Sequence, residues 1–203
     1  MAHPITVAVE GASDLPVVRR ILDFAGCSVH VVHGLAGKRH LNRNLHGYNN
    51  AARFAPWLVL RDLDHDAQCA AGLVQRLLPA PSKWMRFRVA VREVESWVLA
   101  DPTSVSRYLR IRQALVPESP DQLLDPKQTL VNLARLSPIA AIRADMVPAV
   151  GMSNTVGPAY ASRIGELAAH HWKPGVAVEN SDSLRRCVDK LKELSTFFDR
   201  GGG

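Results

Sequence analysis

The first half of the chain alternates short apolar runs with amphipathic segments, and this alternation restricts the fold more than any other feature. Patterns typical of strands occupy 5–10, 28–33, 57–62 and 85–92, and helical patterns occupy 14–25 and 67–78. Such a succession builds α/β folds, because each helix returns the chain to begin the next strand in parallel. We therefore predict an α/β core with a mostly parallel sheet and flanking helices over residues 1–100.

One connection in this half, 34–54, is long for such a fold and rich in glycine and asparagine. Long polar connections in compact domains are often functional or mobile. This one carries Lys38, Arg39 and Arg43, which predicts a basic loop suited to phosphate contacts. An irregular surface insertion with a short helix is the alternative.

From Ser96 onward the pattern becomes helical and is interrupted by prolines. We predict helices over 96–109, 126–136, 158–171 and 181–198. Asp125-Pro126 supplies an N-cap and a proline in the first turn for the second of these helices. Residues 101–200 are thus expected to form a helical elaboration packed on the core, and 201–203 a disordered tail.

Carboxylates gather where two of the predicted strands end. Asp62, Asp64 and Asp66 alternate directly after the apolar run that begins at Trp57, and Glu10 ends the first strand. Acids at every second position of a strand project to one side, and the carboxyl ends of parallel strands meet at one edge of the sheet. Hard oxygen ligands favour Mg²⁺ or Mn²⁺, so this edge predicts a metal site. The alternative is that Asp66 caps the next helix and the other two aspartates are solvated.

A glutamate at the end of strand one, followed by Asp-x-Asp-x-Asp on a later strand, resembles the Toprim domain. Topoisomerases, bacterial primases and nucleases of the overcoming-lysogenization-defect type share that domain. The resemblance implies a Rossmann-like Toprim core in which Asp62 and Asp64 are metal ligands. It implies that Glu10 is a ligand for a second ion or the base that takes a proton from water. Asp66 would be an outer ligand.

A later segment resembles an uncharacterised bacterial Toprim-like group, domain-of-unknown-function family 4276. The resemblance rests on four stretches: Glu93-x-Glu95-x-Trp97-x-Leu99-Ala100-Asp101, Asp125-Pro126-Lys127, Val156 to Tyr160, and Ser181 to Arg186. Spacing places Glu93 and Glu95 on one face if the strand continues that far. Glu95 is then a candidate for a second metal or for orienting the substrate, and a salt bridge to Arg92 or another nearby arginine is the alternative.

Charge points weakly to a polyanionic partner, since the net charge of the chain is +6. Lys127 and Arg163 could contact phosphate from the helical part, and an ion-paired surface role is the alternative for each. Three widely spaced cysteines lack zinc-ligand spacing and predict reduced thiols. No apolar stretch approaches the ~20 residues that cross a bilayer, so we expect a cytoplasmic protein without membrane contact.

The predicted function is Mg²⁺- or Mn²⁺-dependent hydrolysis of phosphodiester bonds in DNA or RNA. The resemblance implies a bacterial antiviral defence setting, with a separate ATPase as partner. A non-hydrolytic subunit that binds nucleic acid or the ATPase through the same fold is the alternative. A phosphatase of the haloacid dehalogenase type fits less well, because that class carries Asp-x-Asp on its first strand, where this chain has Glu10. No Walker loop appears, and the sequence leaves the oligomeric state open.

Overall fold

Four parallel strands form the centre of the molecule. In the computed structural model, which describes residues 2–199, the strands are β1 (His3–Val9), β2 (Cys27–Gly34), β3 (Trp57–Asp62) and β4 (Met85–Ala90). Their order is β2-β1-β3-β4, and all three neighbouring pairs are parallel. The predicted α/β fold class is confirmed. The carboxyl ends of all four strands therefore lie at one edge of the sheet.

Helices from the first half cover both faces of this sheet. They are α1 (Asp14–Phe24), α2 (Gly37–Ala51) and α3 (Ala70–Leu77). Leu45 of α2 and Leu73 of α3 belong to one buried cluster with Val59 and Phe87. Helix α1 packs on the opposite face, where Ile21 joins the larger cluster. Each face of the sheet thus has its own apolar layer, which is typical of parallel sheets.

The connection 34–54, predicted as a polar loop or as an irregular insertion with a short helix, contains a helix of 15 residues, α2. The loop prediction is wrong, and the alternative comes closer, because the few apolar residues of this segment follow helical spacing. Leu41, Leu45 and Ala52 are buried, and Tyr48 is partly buried against them. A narrow apolar stripe on an otherwise polar helix is enough to bind it to the sheet.

Seven helices follow β4 in the part of the chain that the structure describes, with two short 3₁₀ turns at Gln113–Leu115 and Pro120–Gln122. They are α4 (Val94–Leu99), α5 (Pro102–Leu109), α6 (Pro126–Arg135), α7 (Ala140–Met146), α8 (Tyr160–His170), α9 (Pro174–Asn180) and α10 (Asp182–Asp199). The sequence did not predict α7 and α9.

The predicted helix 96–109 is two helices, because the chain breaks at Asp101-Pro102. The Asp101 carboxylate accepts a hydrogen bond from Ser104 N at 3.0 Å and so caps α5, while Pro102 has no N–H with which to continue α4. The predicted cap of α6 is confirmed, since the Asp125 carboxylate accepts from Gln128 N at 2.7 Å.

Helices of the second half share a core with the sheet. Ile5, Trp97, Leu130, Leu167 and Leu191 belong to one continuous buried cluster. The elaboration predicted for 101–200 therefore packs on the face of the sheet that α1 covers, whereas 201–203, predicted as a tail, lies outside the described residues. Among residues 2–199, no helix is both long and apolar enough to cross a bilayer.

Candidate active site

Glu10 and Asp62 meet at the carboxyl edge of the sheet. β1 and β3 are parallel neighbours, so the residue that follows β1 lies beside the last residue of β3. Glu10 Oε1 accepts a hydrogen bond from Asp62 N at 3.1 Å. Asp62 Oδ1 in turn accepts from Val94 N at 3.0 Å, at the start of α4. The sequence thus correctly predicted that these two acids come together.

Asp14, at the start of α1, is a third acid in this group. Its carboxylate accepts from Gly11 N at 2.8 Å and from Ser13 Oγ at 3.2 Å, and the residue is only 6% exposed. The sequence analysis did not single out Asp14 as a candidate ligand. Its position four residues after Glu10, in the first turn of the helix that leaves the same edge, was the signal for a larger role.

Glu95 is the fourth acid of this group, and it reaches the group from a helix instead of a strand. The prediction that β4 extends to residue 92 is wrong, because the strand ends at Ala90 and Arg92 has a φ of +63°. A left-handed residue turns the chain away from the sheet, and α4 begins two residues later. Glu93 and Glu95 therefore share no strand face.

The second half of the chain supplies the partners of Glu95. Tyr160 Oη donates a hydrogen bond to Glu95 Oε1 at 3.1 Å, and Lys127 Nζ lies 3.7 Å from the same oxygen. Lys127 also binds Glu93 twice, through Nζ to Oε1 and through its backbone N–H to Oε2, both at 2.9 Å. The suggested salt bridge from Glu95 to Arg92 is replaced by one to Lys127.

Burial raises the pKa of all four acids. The pKa of Glu10 rises to about 7, chiefly by desolvation, although the bond from Asp62 N and the charge of Arg61 oppose the rise. The pKa of Glu95 also rises to about 7, by desolvation against the charge of Lys127. Desolvation raises the pKa of Asp62 well above its ordinary value, with the charges of Asp14, Glu95 and Glu10 adding to it. The pKa of Asp14 rises by burial as well.

Asp64 and Asp66 form a separate cluster. The predicted alternation fails because β3 ends at Asp62 and Asp64 has a φ of +47°, which starts a turn. Lys38 Nζ lies 2.6 Å from Asp64 Oδ2 and 3.1 Å from Asp66 Oδ2. The guanidinium group of Arg61 also contacts Asp66, and together these cations lower the pKa of Asp66.

The suggestion that Asp66 caps the next helix is wrong. Helix α3 begins at Ala70, and its N-cap is Cys69, whose Sγ accepts from Gly72 N at 3.4 Å. The thiol takes the capping role because it lies three residues before that N–H, where a side-chain acceptor satisfies the first turn.

Arg61 is a buried cation that the sequence analysis did not single out. It is 2% exposed, donates to Asn42 Oδ1 at 3.0 Å and to Asp62 O at 3.1 Å, and its Nε lies 3.8 Å from Glu10 Oε1. An arginine at the end of an apolar strand was the available signal, because a buried guanidinium group requires partners. Arg61 connects the two acidic clusters.

The basic residues predicted to contact nucleic acid divide into two groups. Arg39 and Arg43 are exposed, lie one helical turn apart on α2, and form no ion pair within 4.0 Å in the described part of the chain. Lys38, Lys127 and Arg163 are ion-paired. Arg163 binds Asp145 and Glu166 of the helical part, at 2.8 and 2.6 Å.

An open cleft of about 300 Å³ adjoins the separate cluster. It is lined by Lys38, Asp64, His65, Asp66, Arg92, Glu93, Leu124 and Asp125. Three of the four non-glycine residues with positive φ lie near this edge, after β2, β3 and β4: Leu35, Asp64 and Arg92. Backbone in sparsely populated regions often accompanies functional sites, so the carboxyl edge of the sheet is the strongest candidate site.

The chemistry of Glu10, Asp14, Asp62 and Glu95 suits a divalent cation, because their carboxylate oxygens are the ligands that Mg²⁺ and Mn²⁺ prefer and their negative charges repel one another. The arrangement is not closed around an ion, because no three acidic, histidine or cysteine side chains among residues 2–199 lie close enough together to hold a metal ion. Asp62 Oδ2 accepts no hydrogen bond from the described residues, so one oxygen remains for a ligand.

No known protein family, curated protein or solved structure matches this chain.

Proposed function

We propose that this protein is a divalent-metal-dependent nuclease that hydrolyses phosphodiester bonds in DNA or RNA. The observation that carries the proposal is the convergence of Glu10, Asp14, Asp62 and Glu95 at the carboxyl edge of the sheet, with the pKa of each raised. Desolvation and mutual repulsion disfavour the charged form of these acids, and the cations beside them do not fully compensate. A bound Mg²⁺ or Mn²⁺ would supply that charge and neutralise the transferring phosphoryl group.

The residues have separate roles in this proposal. Asp62 would hold the metal ion, and Glu10, Asp14 or Glu95 would complete the carboxylate set. Glu10 would otherwise accept a proton from the attacking water in place of binding the ion, since it lies beside Asp62 at the same edge of the sheet. Lys38, Arg39 and Arg43 extend from the same edge along α2 and would contact the phosphate backbone. Asp64 and Asp66 hold Lys38 in place.

From the resemblance to Toprim nucleases we propose that the protein acts in the bacterial cytoplasm, as the effector of an antiviral defence system with a separate ATPase. A basic net charge of +6 supports nucleic acid as the substrate. The Toprim assignment, the ATPase partner and this setting are part of the proposal.

Cleavage assays test the activity. Purified protein is incubated with Mg²⁺ or Mn²⁺ and with plasmid DNA, single-stranded DNA, total RNA and tRNA, beside two variants. Asp62→Asn keeps Oδ1 as an acceptor for Val94 N but removes the charge. Asp145→Asn is the matched control, because it removes an aspartate that pairs with Arg163 in the helical part.

We expect wild type and Asp145→Asn to cleave the same substrate at similar rates. Asp62→Asn should lose more than the roughly 10- to 100-fold that outer hydrogen-bond partners of metal ligands contribute. Equal cleavage by all three proteins would reveal a contaminant and contradict the role of Asp62. Mn²⁺ binding measured by calorimetry gives a second readout, and Asp62→Asn should abolish it.

A second candidate is a non-hydrolytic subunit that binds nucleic acid or an ATPase. It is favoured by the internal cations, since Lys127 and Arg61 already lie beside the acids and no three-ligand group is closed among residues 2–199. It predicts that wild type binds an oligonucleotide without cleaving it and that Asp62→Asn binds equally well.

A further inference from the structure

The stretch that contains β2 and α2 is basic throughout. It carries no acidic residue between Asp23 and Asp62, and two of its five lysines and arginines pair with the acids that follow β3. The other three, Arg39, Arg43 and Arg53, are exposed and form no ion pair with the described residues. Positive charge without internal compensation therefore remains on this side of the sheet, where it attracts a polyanion.

Helix α2 runs from the candidate active site to the opposite edge of the sheet. At its start, Gly37 N donates to Glu10 O at 3.0 Å. Near its end, the side chain of Asn49 accepts from Ser82 N at 2.7 Å, just before β4 begins. The 15 residues of α2 span roughly 22 Å at the rise of an α-helix. The three exposed arginines are distributed along this length.

Aromatic rings lie beside these arginines. Phe54 directly follows Arg53 and is 86% exposed, although a phenylalanine usually buries most of its ring. His33 of β2 and Tyr48 of α2 both stack on Trp57, each at 5.1 Å between ring centroids. Trp57 is buried and fixes the other two rings, of which His33 is exposed and Tyr48 partly exposed. The surface thus offers rings as well as charge.

Together these side chains form the α2 track, which consists of His33, Arg39, Arg43, Tyr48, Arg53 and Phe54. Arginines interleaved with aromatic rings are typical of surfaces that bind single-stranded nucleic acid, because the arginines contact phosphates and the rings stack on bases. Gly47 lies in the middle of the track, and no atom lies within 4 Å of the position of a Cβ added there. A strand can therefore approach the backbone of α2 closely at this point.

Other occupants fit the track less well. A duplex would leave the rings unused, because its bases stack on one another inside the double helix. A second copy of this chain would bring the same arginines together in a two-fold contact, and the track has no acid to neutralise them. An acidic peptide would pair with the arginines but has no flat groups for the rings.

We propose that the α2 track binds a single strand of DNA or RNA and leads it to the acids at the carboxyl edge of the sheet. The three arginines contact phosphates, and Phe54 and His33 stack on bases. The length of α2 accommodates about six nucleotides at the 3.4 Å spacing of a stacked strand. This inference rests on the proposed nuclease activity, for which it specifies a single-stranded substrate.

Fluorescence anisotropy in EDTA tests the proposal, because binding is then measured without cleavage. The probes are fluorescein-labelled oligothymidylate and oligouridylate, each 12 nucleotides long. One comparison probe is the duplex of the same oligothymidylate with oligoadenylate, and the other is an abasic strand that keeps the phosphates but lacks the bases.

Three variants accompany the wild type. Phe54→Leu removes the ring but keeps an apolar side chain, and Arg43→Gln removes one charge. Arg19→Gln is the matched control for the second, because Arg19 is an exposed arginine of α1, which covers the opposite face of the sheet. Thermal melts confirm that each variant is folded.

We expect at least one of the two single strands to bind at least about 10-fold more tightly than the duplex and the abasic strand. Phe54→Leu should weaken binding of that single strand about 10-fold and leave binding of the abasic strand unchanged, since stacking on one base is lost. Arg43→Gln should weaken both and make the dependence of log Kd on log salt concentration less steep by about 0.7. Arg19→Gln should change neither.

Equal binding of the single strands and the abasic strand would overturn the proposal. So would tighter binding of the duplex, binding that Phe54→Leu leaves unchanged, or complete competition by polyglutamate at equal charge concentration, which would indicate a surface for an acidic protein. Comparison with the cleavage assay separates the two proposals. Single-strand binding without cleavage in Mg²⁺ would support the track and contradict the nuclease, whereas cleavage of duplex DNA without single-strand binding would support the nuclease and overturn the track.

Discussion

Lys127 links the helical part of the molecule to the buried acids. Its ammonium group lies 2.9 Å from Glu93 and 3.7 Å from Glu95. Burial acts to lower the pKa of Lys127, but the negative charges of these two carboxylates raise it. A cation in this position offsets part of the cost of burying Glu95 in its charged form.

Replacing Lys127 with methionine should destabilise the protein in a pH-dependent way. Removal of one partner from a buried ion pair costs about 3–5 kcal/mol. We expect about 2 kcal/mol at pH 8, because Lys127 is partly exposed. At pH 5 the loss should be smaller, since Glu95, with a pKa of about 7, is then neutral. Urea unfolding at both pH values measures the difference.

Lys190→Met is the control for this prediction. Lys190 forms an exposed ion pair with Glu193, and such pairs contribute roughly 0–1 kcal/mol. An equal loss at pH 5 and pH 8 in Lys127→Met would show that packing of the lysine side chain, and not its charge, stabilises this region.

Single residues of the site differ in how well the sequence predicted them. Glu10 and Asp62 were found because strand ends are visible as boundaries of apolar runs. Asp14 was not singled out, because an acid in the first turn of a helix usually serves only to stabilise that helix. Glu95 was placed on a strand because nothing local indicates that Arg92 adopts a left-handed conformation.

The turn from β2 into α2 depends on one glycine much more than on another. A Cβ added to Gly34, whose φ is +87°, would lie 2.2 Å from the carbonyl oxygen of Val9. Gly37 has a similar φ of +80°, but no atom lies within 4 Å of its Cβ position. Alanine substitutions at these two positions therefore distinguish the free-energy cost of close packing from the cost of the backbone conformation.

We expect Gly37→Ala to cost about 1–2 kcal/mol, the penalty of the left-handed conformation alone. Gly34→Ala should cost at least about 2 kcal/mol more than that, because β1 and β2 must separate where Glu10 is positioned. Chemical denaturation of both variants checks the difference. Equal losses would mean that β1 and β2 accommodate the methyl group without strain.

Elements with strong apolar patterns were predicted well, and those fixed by a few contacts were not. β3 was predicted at its observed bounds because four apolar residues precede Arg61 and Asp62. Helix α2 was missed because its stripe consists of few residues in a very polar segment. Helix α9 was missed because Pro174 suggested a break, although proline in a first turn is also a helix start.

At the scale of the whole molecule, alternation of strands and helices was sufficient to predict a parallel sheet. Strand order and the placement of the last seven helices were not predictable in this way, because they depend on contacts between distant residues. Tyr160 and Lys127 reach Glu95 across 65 and 32 positions of the chain. No local pattern records such a contact.

The four raised pKa values predict an unusual dependence of stability on pH. An acid whose pKa is higher in the folded state binds more protons there than in the unfolded state. The stabilising effect is complete below the ordinary pKa of 4.5 for Glu10 and Glu95, and is lost as pH rises to about 7. Without metal, the free energy of unfolding should therefore fall as pH rises from 5 to 7.

Asp66, Glu166 and Glu193 change the free energy of unfolding in the opposite direction, and they do so at lower pH. Their pKa values lie below the ordinary ones, so their contribution is lost only as pH falls below about 4. Urea unfolding from pH 5 to pH 8 isolates the buried acids from these residues. In Glu95→Gln the dependence should weaken, since one of the four groups no longer titrates.

Millimolar Mg²⁺ should restore stability at pH 8 and have little effect at pH 5, because ions compete with protons for the same carboxylates. The comparison of Glu95→Gln with wild type removes the contribution of every titratable group that the two proteins share. Stability that rises from pH 5 to pH 7 in the wild type and in Glu95→Gln alike would contradict the burial of these acids. The experiment thus tests whether protons and Mg²⁺ compete for the buried acids, and it requires no substrate.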